Sequence, residues 1–415
     1  MNSSEQASPS AEDPRGEDHR QLGQALDLFH LQEEAPGAVF WHPRGLVLVR
    51  LLEEHVRRAA DRDGYREVRT PLAMRRPIWE ASGHWEAFPE GMLHVAGDGD
   101  LALKPVSCPG HIQIVKRMRP SWRDMPIRIS EHGIVHRNEP RGVLCGLFRL
   151  RQFVQDDGHV FCRPDQIDVE IERFLRRVRG LYESFGMADV RAALSLRPNV
   201  RFGDDALWDR AEAALARGAA AAGLSYDVQE GQGAFYGPKI ELVLRDALGR
   251  SWQCGTLQLD FVLPERFDLR YHDKDGSDAP MVVLHRALLG SFERFVAILL
   301  EHHQGRLPPW LAPACVRVVA ITDAQVPFAR DVHEAFLRAG VRAEIERDPS
   351  GPLPGRVADA RASKVPFLAI VGAREAAARK VVLRDLQRAD EDRGEVLPLD
   401  AAIAELVRQA APPDP

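Results

Sequence analysis

The 415-residue chain is short of lysine, of cysteine and of long apolar runs. Only six lysines stand beside 49 arginines, a skew that points to coding bias and makes each lysine worth inspection. With a formal net charge of −6 the chain does not read as a sequence-blind coat for nucleic acid, while a local basic face stays open. Five cysteines, an odd number with no Cys-x-x-Cys, build no disulfide framework and fit a reducing compartment. No apolar run approaches the ~18 residues that span a bilayer. The opening residues lack both the apolar region of a signal peptide and the basic amphipathicity of a transit peptide. These absences predict a cytoplasmic protein, without a membrane partner, whose residues 1–17 are disordered. What is present is ordinary for a folded chain: 45% hydrophobic and 28% charged residues, with length for two or three domains.

Apolar Leu46, Val47, Leu51, Leu52 and Val56 recur at helical spacing, and the Asp63-Gly64 turn leads from that helix into an extended stretch over 65–71. Strand-like stretches follow at 127–135, 153–161, 239–244 and 252–261, with helices at 166–185 and 205–222 between them. Residues 281–284 read as a buried strand, Gly290 as a turn and 291–303 as a helix. Strands with helices interposed irregularly predict an α+β fold on an antiparallel sheet. Beyond 313 the pattern becomes a regular alternation of strands and helices, the mark of a small separate α/β domain. The expected division is therefore 18–304, a linker at 305–313, and 314–415.

Three constellations could carry chemistry. Arg137 and Glu139 lie two apart, so on a strand they would share a face, where a guanidinium grips phosphate and a carboxylate meets a base edge. A cross-strand salt bridge is the plainer alternative. At 289–294 a glycine turn opens a helix whose first turn presents Arg294, which suits an anion site or a simple strand-to-helix connection. Cys108, His159 and His285 are too dispersed for a short zinc motif, yet one thiolate and two imidazoles are a normal catalytic zinc set with one position open.

Taken together, these pieces resemble the threonyl-tRNA synthetase family of class II aminoacyl-tRNA synthetases. The resemblance runs in order through Asp18-His19-Arg20, Phe40-Trp41-His42-Pro43, Ser82-Gly83-His84-Trp85, 104–111 and 136–159. It continues through Gly233-Ala234-Phe235-Tyr236-Gly237-Pro238-Lys239, Trp252-Gln253-Cys254-Gly255-Thr256 and 285–295. It implies a class II catalytic domain followed by an anticodon-binding-like α/β domain. It also implies one zinc ion per chain on Cys108, His159 and His285, reading the amine and hydroxyl of L-threonine. Asp157 would accept the threonine hydroxyl, with Gln155 and Tyr236 near the amine and carboxylate. Arg137 would bridge carboxylate and α-phosphate, Glu139 would meet the adenine amine and Phe153 would stack beneath the ring. Arg294 would hold the γ-phosphate with Arg149 nearby, Gln253 and Thr256 would line the nucleotide pocket, and Lys239 would stand near the reacting groups. His84 is the candidate proton relay for transfer to tRNA, a helix-end histidine being the alternative. ATP with Mg2+ would be the cosubstrate, tRNA(Thr) the acceptor, and Pro71 matches the family's dimer motif, so a homodimer is expected.

The departures are local. The resemblance begins near residue 18, so neither the family's ubiquitin-like module nor its hydrolytic editing domain is expected, and seryl-tRNA formation is. Val106-Ser107 replaces the Met-Asn usual before the zinc cysteine, and Cys145 stands where histidine is common. Asp348–Gly355, Leu383–Arg388 and the acidic Asp390–Asp392 depart from the basic pattern of the anticodon domain. A threonine-activating relative that serves a carrier-protein thiol, and a noncatalytic RNA-binding or regulatory protein, are the other readings.

Overall fold

The computed structural model describes residues 17–415 except 98–99, 188–189, 246–248, 347 and 389–392. All but Glu17 of the expected disordered start, and Asp390–Asp392, lie outside the described residues.

Helix α1 (Pro43–Arg62) starts on a proline, whose fixed φ suits a first helical turn, and turns Leu48, Val49, Leu52, Val56 and Ala59 inward. It packs beside an eight-stranded sheet. Its strands are β1 (Arg66–Glu67), β2 (Ile127–His136), β3 (Gln152–Cys162), β4 (Arg191–Ser195), β5 (Tyr226–Gln229), β6 (Lys239–Arg245), β7 (Ser251–Asp260) and β8 (Val282–Ser291). Their order is β5-β4-β6-β7-β8-β3-β2-β1. The interior is antiparallel, as the sequence predicts, and only the two edge pairings are parallel.

Both faces of the central strands are covered, and side-chain alternation sorts their residues. Val160, Cys162, Val282 and Leu284 enter the main core, shared with α1, α3 (Ile167–Ser184) and α4 (Phe292–His303). Phe161 and Val283 point the other way, to a second core against Cys108, Ile112 and Val115 of α2 (Cys108–Met118). The period-2 continuation of that second face is Phe153, Gln155, Asp157 and His159 on β3, and His285 on β8. Two apolar registers thus decide where the polar residues stand.

A second sheet follows: β9 (Val316–Ala320), β10 (Ala343–Ile345), β11 (Phe367–Val371), β12 (Lys380–Asp385) and β13 (Glu395–Pro398), ordered β10-β9-β11-β12-β13. It has its own core. The stretch expected as a linker is packed: Leu307, Trp310, Leu311 and Ala312 are buried in the main core, their apolar surface outweighing the Pro-Pro break.

The expected turn at Gly290 is also different, because β8 runs on to Ser291. Its ladder with β7 ends at Thr256↔Ala287, and the Tyr182 hydroxyl enters the gap, donating to Leu288 O and accepting from Gly255 N–H, each at 2.8 Å. Glycine is required at 255, where a Cβ would lie 2.9 Å from that hydroxyl. Removing the hydroxyl orphans two buried backbone groups. Tyr182→Phe should therefore cost about 1–3 kcal/mol, read from urea midpoints, with an unchanged native circular dichroism spectrum.

Candidate functional site

A cleft lies beside the stretch where β8 leaves both neighbours. On the β3 side the register jumps from Ala287↔Asp157 to Ser291↔Gln155. The skipped N–H groups of Leu288, Leu289 and Gly290 donate to the Asp156 carboxylate at 2.6, 3.1 and 2.9 Å. Gly290 has φ +85°, and a Cβ there would come within 2.8 Å of Cys254 O. Across the gap Val154 N–H donates to the buried Glu293 at 3.0 Å. Burial pushes Asp156 up to about 7 against the opposing pull of Arg286 and the three N–H groups. Burial likewise raises Glu293 to about 8.

The cleft holds a cavity of about 470 Å³. Arg137, Glu139, Arg149, Phe153 and Arg294 line it. So do Gln155, Asp157, Tyr236, Lys239, Gln253 and Thr256, together with Cys108, His159 and His285. Arg137 and Glu139 do not share a strand face, since β2 ends at His136 and the chain turns, Glu139 N–H bonding Arg137 O at 2.8 Å ahead of Pro140. Glu139 is instead paired with Arg149 at 3.0 Å. Arg137 is anchored through Nε to Pro105 O at 3.2 Å, its guanidinium 5.2 Å from the Phe153 ring centre. Arg294 is tied down by Phe148 O and Gln253 O at 3.1 and 2.7 Å, while Ser291 caps its helix. Lys239 pairs with Glu241. Gln155 has a buried Oε1 without a partner among the described residues, a polar atom suited to a ligand.

At one end the Cys108, His159 and His285 ligand atoms all lie within 4.8 Å of one another, all three residues buried. Cys108 is the first residue of α2, and His159 and His285 are directly opposite across β3 and β8. Burial raises the Cys108 thiol well above its ordinary value, and the Asp157 and Asp260 carboxylates add to this. A bound cation reverses that logic. Burial, with His111, His285 and Arg286 nearby, holds His159 well below the usual imidazole range. His285 Nε2 faces Asp260 Oδ2 at 2.8 Å, which places its proton there and bares Nδ1 toward His159 Nε2, 2.9 Å away. One buried thiol and two converging imidazole nitrogens fit a zinc ion.

His84 is the expected residue that does not line the cavity. It is buried behind Phe235 and Tyr236, its Nδ1 2.9 Å from Ser82 Oγ, and burial lowers it to about 3, with Arg137 and His285 adding to this. The helix-end alternative describes its placement. Val106 lines the cavity, and Ser107 N–H holds Asp157 Oδ2 at 3.2 Å, whereas Cys145 stands outside beside Arg250. Sequence reasoning missed Asp260, Arg286, Glu131 and His111 as site residues; the one available signal was His111, three residues after Cys108 on a helix.

The arginine-lined cavity stands on the interior strands of the antiparallel sheet, within the stretch that matches a class II aminoacyl-tRNA synthetase core. The model of the tRNA synthetase class II core domain (G, H, P, S and T) matches residues 94–303, and that of the anticodon binding domain matches 315–409. The threonine–tRNA ligase of Hyphomonas neptunium is 47% identical over 97% of this chain and 63% of its own length. That of Rhodospirillum rubrum is 49% identical over 96% of this chain and 61% of its own. A crystal structure described as the RNA binding domain of threonyl-tRNA synthetase from Cryptosporidium parvum Iowa II superimposes with TM-score 0.91 at 37% identity, covering 96% of this chain and 99% of that one. A prolyl-tRNA synthetase from Cryptosporidium parvum, 16% identical with TM-score 0.71 over 94% of this chain and 75% of that one, shares the fold. The chain belongs to the threonyl-tRNA synthetase family, and it spans a little over three-fifths of the length of those curated relatives.

Glu293 yields a pH dependence. Its carboxyl stands near 8 in the folded chain against an ordinary 4.5, so between those values the folded state keeps a proton that the unfolded chain releases. Its contribution to stability is greatest at the acid end and declines as pH rises through that window. Glu293→Gln, which keeps an acceptor for Val154 N–H, should remove that decline. Urea midpoints of both proteins from pH 5 to 8.5 test this, and parallel curves would refute it.

Proposed function

We propose that this chain joins L-threonine to tRNA(Thr) in two steps. The threonine carboxylate attacks the α-phosphorus of ATP, forming threonyl adenylate and releasing pyrophosphate. The ribose 3′-hydroxyl of the tRNA then attacks the acyl carbon and AMP leaves. The observation that carries this reading is the convergence of Arg137, Phe153, Arg294 and the Cys-His-His cluster in one cavity of a chain of this family.

Phe153 and Glu139 take the adenine, and Arg294, with Arg149 nearby, takes the γ-phosphate. Arg137, its Nε already bound to Pro105 O, keeps its terminal nitrogens for the carboxylate and α-phosphate, where charge develops in the transition state. Asp157 accepts the threonine hydroxyl, and Gln155 and Tyr236 bind the amine and carboxylate. Gln253 and Thr256 line the nucleotide site, with Lys239 near the reacting groups. Zinc, when bound by Cys108, His159 and His285, would supply a Lewis acid for the threonine amine and hydroxyl. Mg2+ accompanies ATP. The protein works as a homodimer through the segment at Pro71, and in the cytoplasm; among the described residues no helix is long and apolar enough to cross a membrane.

Purified zinc-loaded protein should support threonine-dependent ATP–pyrophosphate exchange and charge threonine tRNA from a total tRNA pool. Exchange without charging would transfer the reading to a carrier-type acceptor, and silence in both assays would leave a noncatalytic role. In the exchange assay serine, which lacks one methyl, should follow threonine by about 10–200-fold in kcat/KM. Valine, which cannot replace the hydroxyl, should fall about 10⁴-fold or more. Serine and valine activated equally would contradict hydroxyl reading at this site.

A further inference from the structure

Behind the metal cluster lies a chain of buried polar groups that the reaction above does not use. Lys104, His111 and Glu131 are essentially inaccessible to solvent. Glu131 Oε1 accepts from Lys104 Nζ and Thr70 N–H, both at 2.9 Å, and Oε2 accepts from the Thr70 hydroxyl at 2.8 Å and from His111 Nε2 at 3.1 Å. His111 Nδ1 is 2.7 Å from His159 Nδ1. Burial works against ionisation of Glu131, but the bonds from His111, Lys104 and Thr70 win and hold it down to about 2.

Proton positions follow from these partners. An ionised carboxylate only accepts, so His111 carries its proton on Nε2, and its Nδ1 is then a bare acceptor. His159 must donate from Nδ1, which bares its Nε2. His159 Nε2, facing His285 Nδ1 at 2.9 Å within the Cys-His-His cluster, is the nitrogen turned toward a metal, which leaves Nδ1 as the protonated one. Asp260 independently bares Nδ1 of His285, so two lone pairs meet at 2.9 Å.

We infer that Lys104, Glu131 and His111 are positioning residues of the zinc site: their hydrogen-bond chain fixes the His159 proton on Nδ1 and presents its Nε2 to the metal. Cys108 and His111, three apart on α2, bring a ligand and the support of another ligand from one helix face. The inference rests on the zinc reading proposed above.

The test is zinc affinity, measured by competition with a chromophoric chelator, alongside the melting temperature of the metal-free proteins. His111→Leu removes the acceptor for His159 Nδ1–H and should weaken zinc binding about 10–100-fold. His111→Asn can put an amide oxygen where the ring Nδ1 was and should stay near wild type. Wild-type affinity in H111L, or equal weakening in both variants, would overturn the inference, whatever the melting temperatures. Wild-type protein that takes up no zinc would instead remove the zinc reading, and this inference with it. Independently of any variant, nitrogen-15 spectra of the zinc-loaded wild type should show a protonated Nδ1 on His159 and a bare Nδ1 on His111. A proton on His111 Nδ1 would overturn the assignment.

Discussion

Strand β8 gives up its ladder bonds on both sides over Leu288–Gly290, beside the cavity that Gly290 and Ser291 line. The sheet is parted there. Opening it exposes backbone donors and acceptors in the interior, where an unsatisfied group costs about 1–3 kcal/mol. Three buried side chains absorb that cost: the Tyr182 hydroxyl between β7 and β8, the Asp156 carboxylate under the three consecutive N–H groups, and Glu293 at Val154. The gap is therefore bounded by backbone groups that buried side chains satisfy.

The same economy of partners holds around the cavity wall. Arg294 is fastened to two carbonyls and Arg137 to one, so each guanidinium has a fixed plane before any ligand arrives. Glu131 meets Lys104 in the interior, and such pairs add little net stability. Their value lies in orientation: they leave one set of proton positions for His111 and His159.

Much of this was legible in the sequence, and the exceptions share a cause. Alternation and helical spacing located β2, β3, β6, β7 and the helices around them, because burial of one or both faces imposes those periods directly. The dispersed Cys108, His159 and His285 gained weight as a metal set from the resemblance, since their separations along the chain match no short zinc motif. Gly290 read as a turn because glycine usually marks one, and the side-chain bonds that let β8 continue past it come from residues far away. Arg137 and Glu139 reached the cavity from a turn after β2, so strand geometry was the wrong premise for their placement. His111 falls within the matched stretch 104–111 and Glu131 within the expected strand 127–135, but a buried hydrogen-bond chain has no linear signature.

The three side chains that substitute for the missing ladder are contributed from long range: Tyr182 bonds a residue 106 positions away, Asp156 one 132 away and Glu293 one 139 away. Contacts of such separation carry loop-closure entropy before they return any energy. The ladder they interrupt is as long-range, with Val282 pairing Cys162 and Ala287 pairing Asp157. One loop closure therefore serves both, and the side chains that replace the ladder are brought into reach by the same strand pairing that they interrupt.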